Sequence, residues 1–154
     1  MILLIDSLEQ EKLEFPKTLG VTVATTRLDV GDYTAMHGEV RDTAIVERKS
    51  CSDLFTSFAG GYEAEKAKLL KAQELHLTYI LAIEAPFLEV LKGHTYWKAG
   101  EVHEAKKSGL AQIRQLMTWQ RKYGVQVWYC QNRREMALRV LEYFLAQERV
   151  REEA

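Results

Sequence analysis

Apolar residues repeat along this chain with two different spacings, one typical of strands and one typical of helices. Short runs rich in β-branched residues predict strands over 2–5, 21–26, 32–36, 43–48, 78–83 and 125–129. Apolar residues three or four apart predict helices that open at residue 53, cover 62–75 and 110–124, and follow residue 132. Strands and helices that alternate in this way indicate an α/β domain with a central sheet flanked by helices.

Three stretches refine this outline. The run at 78–83 is apolar at nearly every position, which indicates a central strand covered on both faces. The polar stretch that leads to residue 19 is predicted to be helical, with an interruption at Pro16, because proline cannot sit in a helix interior without breaking it. Between residues 92 and 109 neither spacing is present, so an irregular loop is expected there.

Length and composition fit one compact globular domain. The 154 residues are 47% hydrophobic and 28% charged, and the formal net charge is -1. A protein held to nucleic acid by general attraction to phosphates is usually basic. A DNA-binding role would therefore depend on local patches, on a bound metal, or on another domain or partner.

The cysteines and the amino-terminal run bear on the compartment. Cys51 and Cys130 lie far apart without a Cys-x-x-Cys pair, so they indicate neither a disulfide framework nor a zinc site. The apolar run at 1–5 is too short for a signal peptide, and no apolar run approaches membrane-spanning length. We expect an intracellular, cytoplasmic protein, associated with the nucleoid if its source is a bacterium or a phage.

Charged residues gather at the ends of two predicted strands. Glu47 and Lys49 are two apart, so on an extended strand their side chains share one face, while Arg48 points to the other. Asp32 directly follows Gly31 at the end of a separate extended run, and pairing of the two runs would bring both carboxylates to one site. Two carboxylates and some water molecules suit a hard cation such as Mg²⁺ or Mn²⁺.

Each of these pieces also has an ordinary structural interpretation. The Gly-Asp pair is a common turn, and the charged trio at 47–49 fits a strand that runs out into solvent. Asp53 is favoured in the first turn of a helix capped by Ser52, because the helix dipole stabilises a carboxylate there. The joint presence of Asp6, Asp32, the trio and Asp53, each at a strand end or helix start, favours a metal site over these separate interpretations.

The same residues resemble the signature of the XPF-type structure-specific endonucleases, which reads GD, a variable gap, ERK, three residues and D. Every letter is present here, from Gly31 to Asp53. Residues 5–9 are similar to the opening D-x-R-E of that family, and residues 79–84 are similar to its later apolar strand ending in IE. The resemblance spans about residues 2–145, nearly the whole chain.

The resemblance implies a restriction-endonuclease-like α/β fold, with a mixed central β-sheet flanked by α-helices and the metal site at one sheet edge. The chain departs from the family at Leu8 and Tyr62, where arginine is often found, and at Ala85, where glycine is frequent. The arginine positions concern phosphate contacts, and the metal-binding carboxylates are unaffected. We expect residues 1–154 to form a single nuclease domain, without the helix-hairpin-helix module or the helicase domain of longer family members.

The implied activity is hydrolysis of phosphodiester bonds in DNA. Branched or otherwise structured DNA in repair, recombination or replication is the expected substrate. Asp32 and Glu47 are the expected metal ligands, with the backbone carbonyl of Arg48 as a third. A cation lowers the pKa of bound water and stabilises the charge of the transition state. Lys49 is expected to orient the attacking water or to neutralise charge on the scissile phosphate.

Two further carboxylates complete the expected site. Asp6 and Asp53 would be outer ligands or would hold Lys49 and Arg48 in place. The alternative for Arg48 is direct contact with phosphate through its planar guanidinium group.

A symmetric homodimer is implied as well, because XPF-type nuclease domains associate as dimers. The contact is expected along the last two helices. Burial within one subunit is the alternative for the apolar residues of that stripe, which are Leu116, Met117, Val140, Leu141 and Phe144.

The 92–109 segment mixes aromatic and basic side chains. A loop of this composition suits contact with unpaired bases, and Lys98, Lys106 and Lys107 are the expected DNA contacts. An irregular surface loop with structural aromatics is an equal alternative. His94 and His103 lie nine residues apart without nearby cysteines, so they do not indicate a zinc site.

Two other classes of function stay open. One is a nuclease fold that has lost its activity and serves as a DNA-binding or scaffolding partner of another nuclease; the complete set of charged residues argues against it. The other is an unrelated metal-dependent hydrolase or a nuclease that acts on RNA, because a metal and two carboxylates do not distinguish the two sugars.

Overall fold

Strands and helices alternate along nearly the whole chain. The computed structural model describes residues 1–17, 20–60 and 62–154, except for the side chains of residues 57–60. Its elements, in chain order, are β1 (Ile2–Asp6), β2 (Thr22–Thr26), β3 (Tyr33–His37), β4 (Val40–Arg41), β5 (Ala44–Ser50), α1 (Cys51–Gly60), α2 (Tyr62–Glu74), β6 (Thr78–Glu84), α3 (Phe87–Lys92), β7 (Thr95–Lys98), β8 (Glu101–Glu104), α4 (Gly109–Tyr123), β9 (Gln126–Tyr129) and α5 (Arg133–Glu153).

The main sheet is mixed, with the strand order β2-β1-β3-β5-β6-β9 and the short β4 paired to β3. β2 runs parallel to β1, β3 runs antiparallel to both β1 and β5, and β5, β6 and β9 are parallel to one another. The carboxyl ends of β1, β5, β6 and β9 therefore lie at the same edge of the sheet as the amino end of β3. We call this the carboxyl edge; it brings together the charged residues that the sequence separates.

Two apolar cores cover the two faces of the sheet. Successive residues of β5 and β6 point to opposite faces, so each strand contributes to both cores. Each large side chain that is fully buried contributes roughly 1.5–3 kcal/mol to folding. The first core joins the sheet to α1, α2 and α4 through Ile45, Leu81, Phe55, Leu69 and Leu116. The second joins it to α5 through Val46, Ile80, Met136, Val140 and Phe144.

The predicted strands and the four predicted helices are present, and the fold is of the expected α/β class. β6 is buried over 79–83, as a continuous apolar run predicts for a central strand. α4 ends at Gly124, whose φ of 67° is left-handed and whose N–H donates to the carbonyl of Gln120. Asn132 caps α5, since its side chain accepts a hydrogen bond from the N–H of Glu135.

The helix predicted toward residue 19 is wrong for the residues that the structure describes, because 7–17 contains no α-helix. An extended path lets this segment cover Tyr33. The N–H of Leu13 donates to the Tyr33 hydroxyl at 2.9 Å, and the ring of Phe15 meets that of Tyr33 edge-on at 5.8 Å. Thr18 and Leu19, the last residues of that prediction, lie outside the described residues.

The irregular loop expected over 92–109 is also wrong, because β7 and β8 form a two-stranded antiparallel hairpin there. Its two-residue turn has positive φ at both positions, 53° at Ala99 and 79° at Gly100. Turns of this kind match the twist of the strands they join. Four-residue strands are too short for their alternation to stand out in the sequence.

The apolar stripe assigned to a dimer contact belongs largely to the core. Leu116, Val140, Leu141 and Phe144 are fully buried within one subunit, so they are unavailable to a second. Met117 differs, with half of its surface exposed. No helix in the described part of the chain combines the length and the apolar character that crossing a membrane requires.

Candidate active site

A cleft of about 360 Å³ opens at the carboxyl edge of the sheet. β1 and β5 end beside it, and β3 begins beside it. Five of the sequence-predicted site residues line it, and Lys49 does not. The charged residues around the cleft are Asp6, Glu9, Arg27, Asp29, Asp32, Glu47, Arg48, Asp53 and Lys68.

The Gly31-Asp32 turn fixes one carboxylate of the site onto β5. The N–H of Asp32 donates to the carbonyl of Val46 at 2.8 Å, and its Oδ2 accepts a hydrogen bond from the N–H of Arg48 at 2.7 Å. Gly31 has a φ of 79°, and a Cβ there would lie 3.1 Å from the side chain of Ile45 and 3.3 Å from the Val46 carbonyl. Glycine thus allows the close approach that sets Asp32 beside β5.

Glu47 is the second carboxylate and is almost fully buried. Its Oε1 lies 2.8 Å from Nζ of Lys68 and 3.6 Å from Nζ of Lys49. Glu65 holds the same two lysines, with its Oε1 at 2.7 Å from Lys49 and 3.4 Å from Lys68. One network of ion pairs therefore joins β5 to α2, and each element contributes one carboxylate and one ammonium group. The predicted proximity of Glu47 and Lys49 is confirmed.

Sequence reasoning missed the roles of Glu65 and Lys68. The α2 lysines were interpreted as a solvated face, which is the usual place for charges on a helix. The available signal was the i, i+3 spacing of Glu65 and Lys68 on the second helix that follows the charged strand. That signal is weak alone, because packing of α2 against the sheet is what buries Glu65.

The environment of Asp32 raises its pKa from 3.8 to about 8. Burial is the largest cause, followed by the nearby negative charge of Glu47, and the hydrogen bond from Arg48 opposes both. A positive charge bound beside Asp32 and Glu47 would relieve the repulsion between the two carboxylates. The oxygen donors of Asp32 and Glu47 therefore fit a hard divalent cation.

Asp32 and Glu47 would need ligands beyond side chains to complete the shell of such a cation. Among the described residues, no three Asp, Glu, His or Cys side chains are grouped so as to hold a metal. Backbone carbonyls and water commonly complete the shell of Mg²⁺. The backbone carbonyl of Arg48, predicted as the third ligand, is compatible with this donor set.

Arg48 projects to the opposite face from its neighbours in β5, as the strand period predicts. Its Nε donates to Glu9 Oε2 at 3.2 Å, and its Nη2 lies 3.4 Å from Glu11 Oε2. Glu84, at the end of β6, lies 4.0 Å from Nη1. The guanidinium group is thus paired with carboxylates of the 7–17 segment and of β6.

Asp6 does not hold Lys49 or Arg48, so that part of its predicted role is wrong. Its carboxylate accepts hydrogen bonds from Arg27 Nη1 at 3.0 and 3.1 Å and from the N–H of Leu28 at 2.9 Å. β3 separates β1 from β5 in the sheet, whereas residues 27–28 directly follow β2, the other neighbour of β1, and supply these donors.

Asp53 is exposed and faces the cleft from the first turn of α1. The helix begins at Cys51, two residues earlier than predicted. Ser50 replaces Ser52 as the cap, since the hydroxyl of Ser50 accepts a hydrogen bond from the N–H of Asp53 at 3.0 Å. An outer-ligand role for Asp53 stays a prediction.

The lysines predicted to contact DNA lie on the β7–β8 hairpin and just after it. Lys98 ends β7, and Lys106 and Lys107 lie between β8 and α4. Lys98 and Lys106 are exposed, whereas partial burial lowers the pKa of Lys107. His94 attaches the base of the hairpin to α1, because its ring stacks on that of Phe55 at 5.8 Å.

Comparison with known proteins agrees with this geometry. A family model described as the ERCC4 domain matches residues 5–141, which include all the predicted metal ligands. XPF from Aeropyrum pernix has a TM-score of 0.69 and 22% sequence identity, over 99% of this chain and 68% of that one. XPF from Aeropyrum pernix in complex with DNA has a TM-score of 0.69 and 21% identity, over 96% and 65%.

The similarity to these solved structures confirms a restriction-endonuclease-like arrangement of a mixed sheet flanked by helices. This chain spans about two thirds of the length of both solved chains. A comparison with curated proteins found no match.

Proposed function

The chain belongs to the ERCC4 domain family, and from this premise we propose that it is a divalent-metal-dependent endonuclease acting on branched or otherwise structured DNA. The observation that carries the proposal is the pairing of Asp32 with Glu47. The Arg48 N–H holds one carboxylate beside the other in a cleft, although their charges repel. An arrangement that costs stability is retained where it has a use, and cation binding is the use that fits these donors.

Asp32 and Glu47 would hold the cation, together with the backbone carbonyl of Arg48. Mg²⁺ or Mn²⁺ in this position would lower the pKa of the attacking water and stabilise charge on the scissile phosphate. The chain's contribution is to keep these donors fixed. β5 carries Glu47, and two hydrogen bonds from and to β5 fix Asp32.

Lys49 would place its ammonium group beside the water or the phosphate. Glu65 holds that group at 2.7 Å, and Lys68 offsets part of the negative charge of Glu47. Glu65 is therefore a positioning residue in this proposal. A fixed ammonium group needs no reorientation when negative charge develops at the phosphate, which is the condition for electrostatic catalysis.

DNA is the proposed substrate for two reasons. XPF from Aeropyrum pernix, which shares the fold, has been solved in complex with DNA. Lys98, Lys106 and Lys107 lie on and just after the β7–β8 hairpin, which places positive charge locally in a chain whose net charge is only -1. The reaction would serve repair, recombination or replication, where branched DNA occurs.

A homodimer is part of the proposal, with its contact at α4 and β9 rather than at the buried stripe. β9 is the last strand of the main sheet among the described strands, so one side of its backbone is unpaired. Met117 is exposed on α4, the helix before β9. Two copies related by a twofold axis would double the surface that holds a branched duplex.

A non-catalytic scaffolding partner is the alternative. Buried charges are costly unless they are paired or used, and a chain that only binds has no need for a repelling carboxylate pair. Asp32 and Glu47 are such a pair, because burial and the charge of Glu47 raise the pKa of Asp32 to about 8, and this favours the enzyme.

Cleavage assays with labelled duplex, flap, fork, junction and single-stranded DNA test the proposal. We expect cutting of branched substrates with Mg²⁺ or Mn²⁺, loss of cutting with EDTA, and loss of cutting by Asp32→Asn and Glu47→Gln. Glu39→Gln is the matched control, because Glu39 is an exposed carboxylate in the β3–β4 turn at the opposite edge of the sheet. Full activity of the Asp32 or Glu47 variant would remove that residue from the site, and cutting of matched RNA alone would change the substrate class.

A further inference from the structure

The β7–β8 hairpin carries an unusually exposed tryptophan. Trp97 has 75% of its surface exposed, whereas Trp119 in α4 is 3% exposed. Its cross-strand partner Val102 is also exposed, so the two form an apolar pair on one face of the hairpin. An exposed aromatic side chain of this size is costly in water and commonly marks a binding surface.

The hairpin holds this side chain on a defined support. The Ala99-Gly100 turn joins strands of four residues, which extend for about 13 Å. On the face opposite Trp97, the rings of Tyr96 and His103 stack at 5.6 Å and join the two strands. The backbone of Trp97 is thus held in a paired strand, one residue before the strand ends at Lys98.

The base of the hairpin is attached to α1, the helix that also borders the candidate active site. His94 stacks on Phe55, and the N–H of Ala105 donates to the carbonyl of His94 at 2.8 Å. Phe55 and Asp53 both lie in the first half of α1, which begins at the carboxyl edge; Asp53 lines the cleft, whereas the side chain of Phe55 is buried on another side of the helix. The hairpin and the cleft thus share the carboxyl edge of the sheet.

The lysines that flank the hairpin indicate the kind of partner. The hairpin itself, residues 95–104, carries one lysine and two glutamates. With the flanking lysines, residues 92–107 contain four lysines and two glutamates, a formal net charge of +2 within a chain of net charge -1. An apolar aromatic ring in a locally basic segment is complementary to a base and its phosphates.

We propose that Trp97 stacks on the base exposed where paired and unpaired DNA meet, so that the hairpin recognises the branch point beside the cleft. This inference rests on the proposed DNA-directed function and assigns its structural preference to one side chain. Stacking recognises any base, because every base has a π-face. The preference would therefore follow the shape of the junction and not its sequence.

Binding in EDTA, where no cutting is expected, tests the inference. The probe is a fork with 2-aminopurine at the first unpaired position, compared with a continuous duplex of the same length. We expect Trp97→Ala to weaken fork binding about 5- to 100-fold and duplex binding less than about twofold. Trp97→Phe should restore most of the fork affinity, and Val150→Ala, which removes an exposed apolar group from the end of α5, should have no effect.

The fluorescence of 2-aminopurine gives a direct readout of stacking. Quenching by the wild-type protein and by Trp97→Phe, but not by Trp97→Ala, is the expected result. Equal quenching by Trp97→Ala overturns the inference. So does a change in the molar mass of Trp97→Ala without a change in fork binding, since the apolar pair would then contact another protein copy. Failure of the wild-type protein to cut any DNA overturns the proposed nuclease, while the quenching still decides whether Trp97 contacts the base.

Discussion

The carboxylate of Asp32 accepts a hydrogen bond from the backbone N–H of Arg48 at 2.7 Å, and this bond holds Asp32 against β5, the strand that carries Glu47. Asp32 precedes β3, whereas Arg48 lies within β5 beside Glu47. The bond partly offsets the repulsion between the two carboxylates, but burial and Glu47 still raise the pKa of Asp32 to about 8. Protonated or metal-bound forms of the site are therefore favoured over the bare dianion.

Asp32→Asn should stabilise the metal-free protein. The folded state binds a proton at Asp32 up to about pH 8, whereas the unfolded chain loses it near pH 3.8, so the wild-type protein loses stability as the pH rises between these values. The asparagine side chain can still accept the Arg48 hydrogen bond without a charge. Denaturant unfolding in EDTA should show a gain of about 1–3 kcal/mol at pH 8 that disappears near pH 4. An equal gain at both pH values would refute the electrostatic explanation.

Gly31→Ala should destabilise the fold more than Gly38→Ala. Both glycines have positive φ, 79° and 63°, so both substitutions carry the cost of a left-handed alanine, roughly 1 kcal/mol. Only at Gly31 would the new Cβ meet neighbours, in Ile45 and the Val46 carbonyl. Thermal unfolding of the two variants should differ by about 1–2 kcal/mol, with the larger loss at Gly31. Equal losses would show that the space around Gly31 is not restricted.

The pair of carboxylates was predictable because each belongs to a local pattern. Asp32 follows a glycine at the start of a strand, and Glu47 alternates with Lys49 on another, so strand period and strand pairing suffice. Glu65 and Lys68 have no such local mark. Their helix shows the polar spacing of a solvated surface, and only its docking against β5 turns those charges toward Glu47.

The predictions for the 7–17 segment and for the β7–β8 hairpin failed for a different reason. Helix propensity favoured a helix before Pro16, but the burial of Leu13 and its bond to Tyr33 stabilise an extended path. In the hairpin, cross-strand pairs such as Trp97 with Val102 are contacts between two segments. Neither kind of tertiary contact appears in the period of a single segment.

Lys49→Ala should slow cleavage by about 10²- to 10⁴-fold with little change in DNA affinity, because its proposed contribution is made in the transition state. Glu65→Gln should give a smaller loss, about 10-fold, because the ammonium group remains but loses its charged partner. Single-turnover cleavage and equilibrium binding separate the two effects. Lys71→Ala, on the exposed side of α2, is the control. A Lys49 variant with normal single-turnover rates would exclude Lys49 from the chemistry.

The double variant Lys106→Ala with Lys107→Ala should weaken DNA binding and leave the single-turnover rate at saturating DNA unchanged. Loss of two phosphate contacts should reduce the slope of log affinity against log salt by about 2. Arg121→Ala with Lys122→Ala removes the same charge from the other end of α4 and is the matched control. Identical salt slopes for the two double variants would mean that only total charge matters and that the Lys106 and Lys107 positions have no specific role.

A twofold dimer should form through α4 and β9. The chain of 17.8 kDa should scatter light at micromolar concentration with about twice that mass. Met117→Arg should shift the mass toward the monomer, because it places a charge on the exposed face of α4, the helix that precedes the edge strand β9. Leu88→Arg, a similar change at an exposed leucine of α3, should leave the mass unchanged. A wild-type monomer that still cuts branched DNA would refute the dimer and leave the β7–β8 hairpin and the cleft as the substrate-holding surface of a single chain.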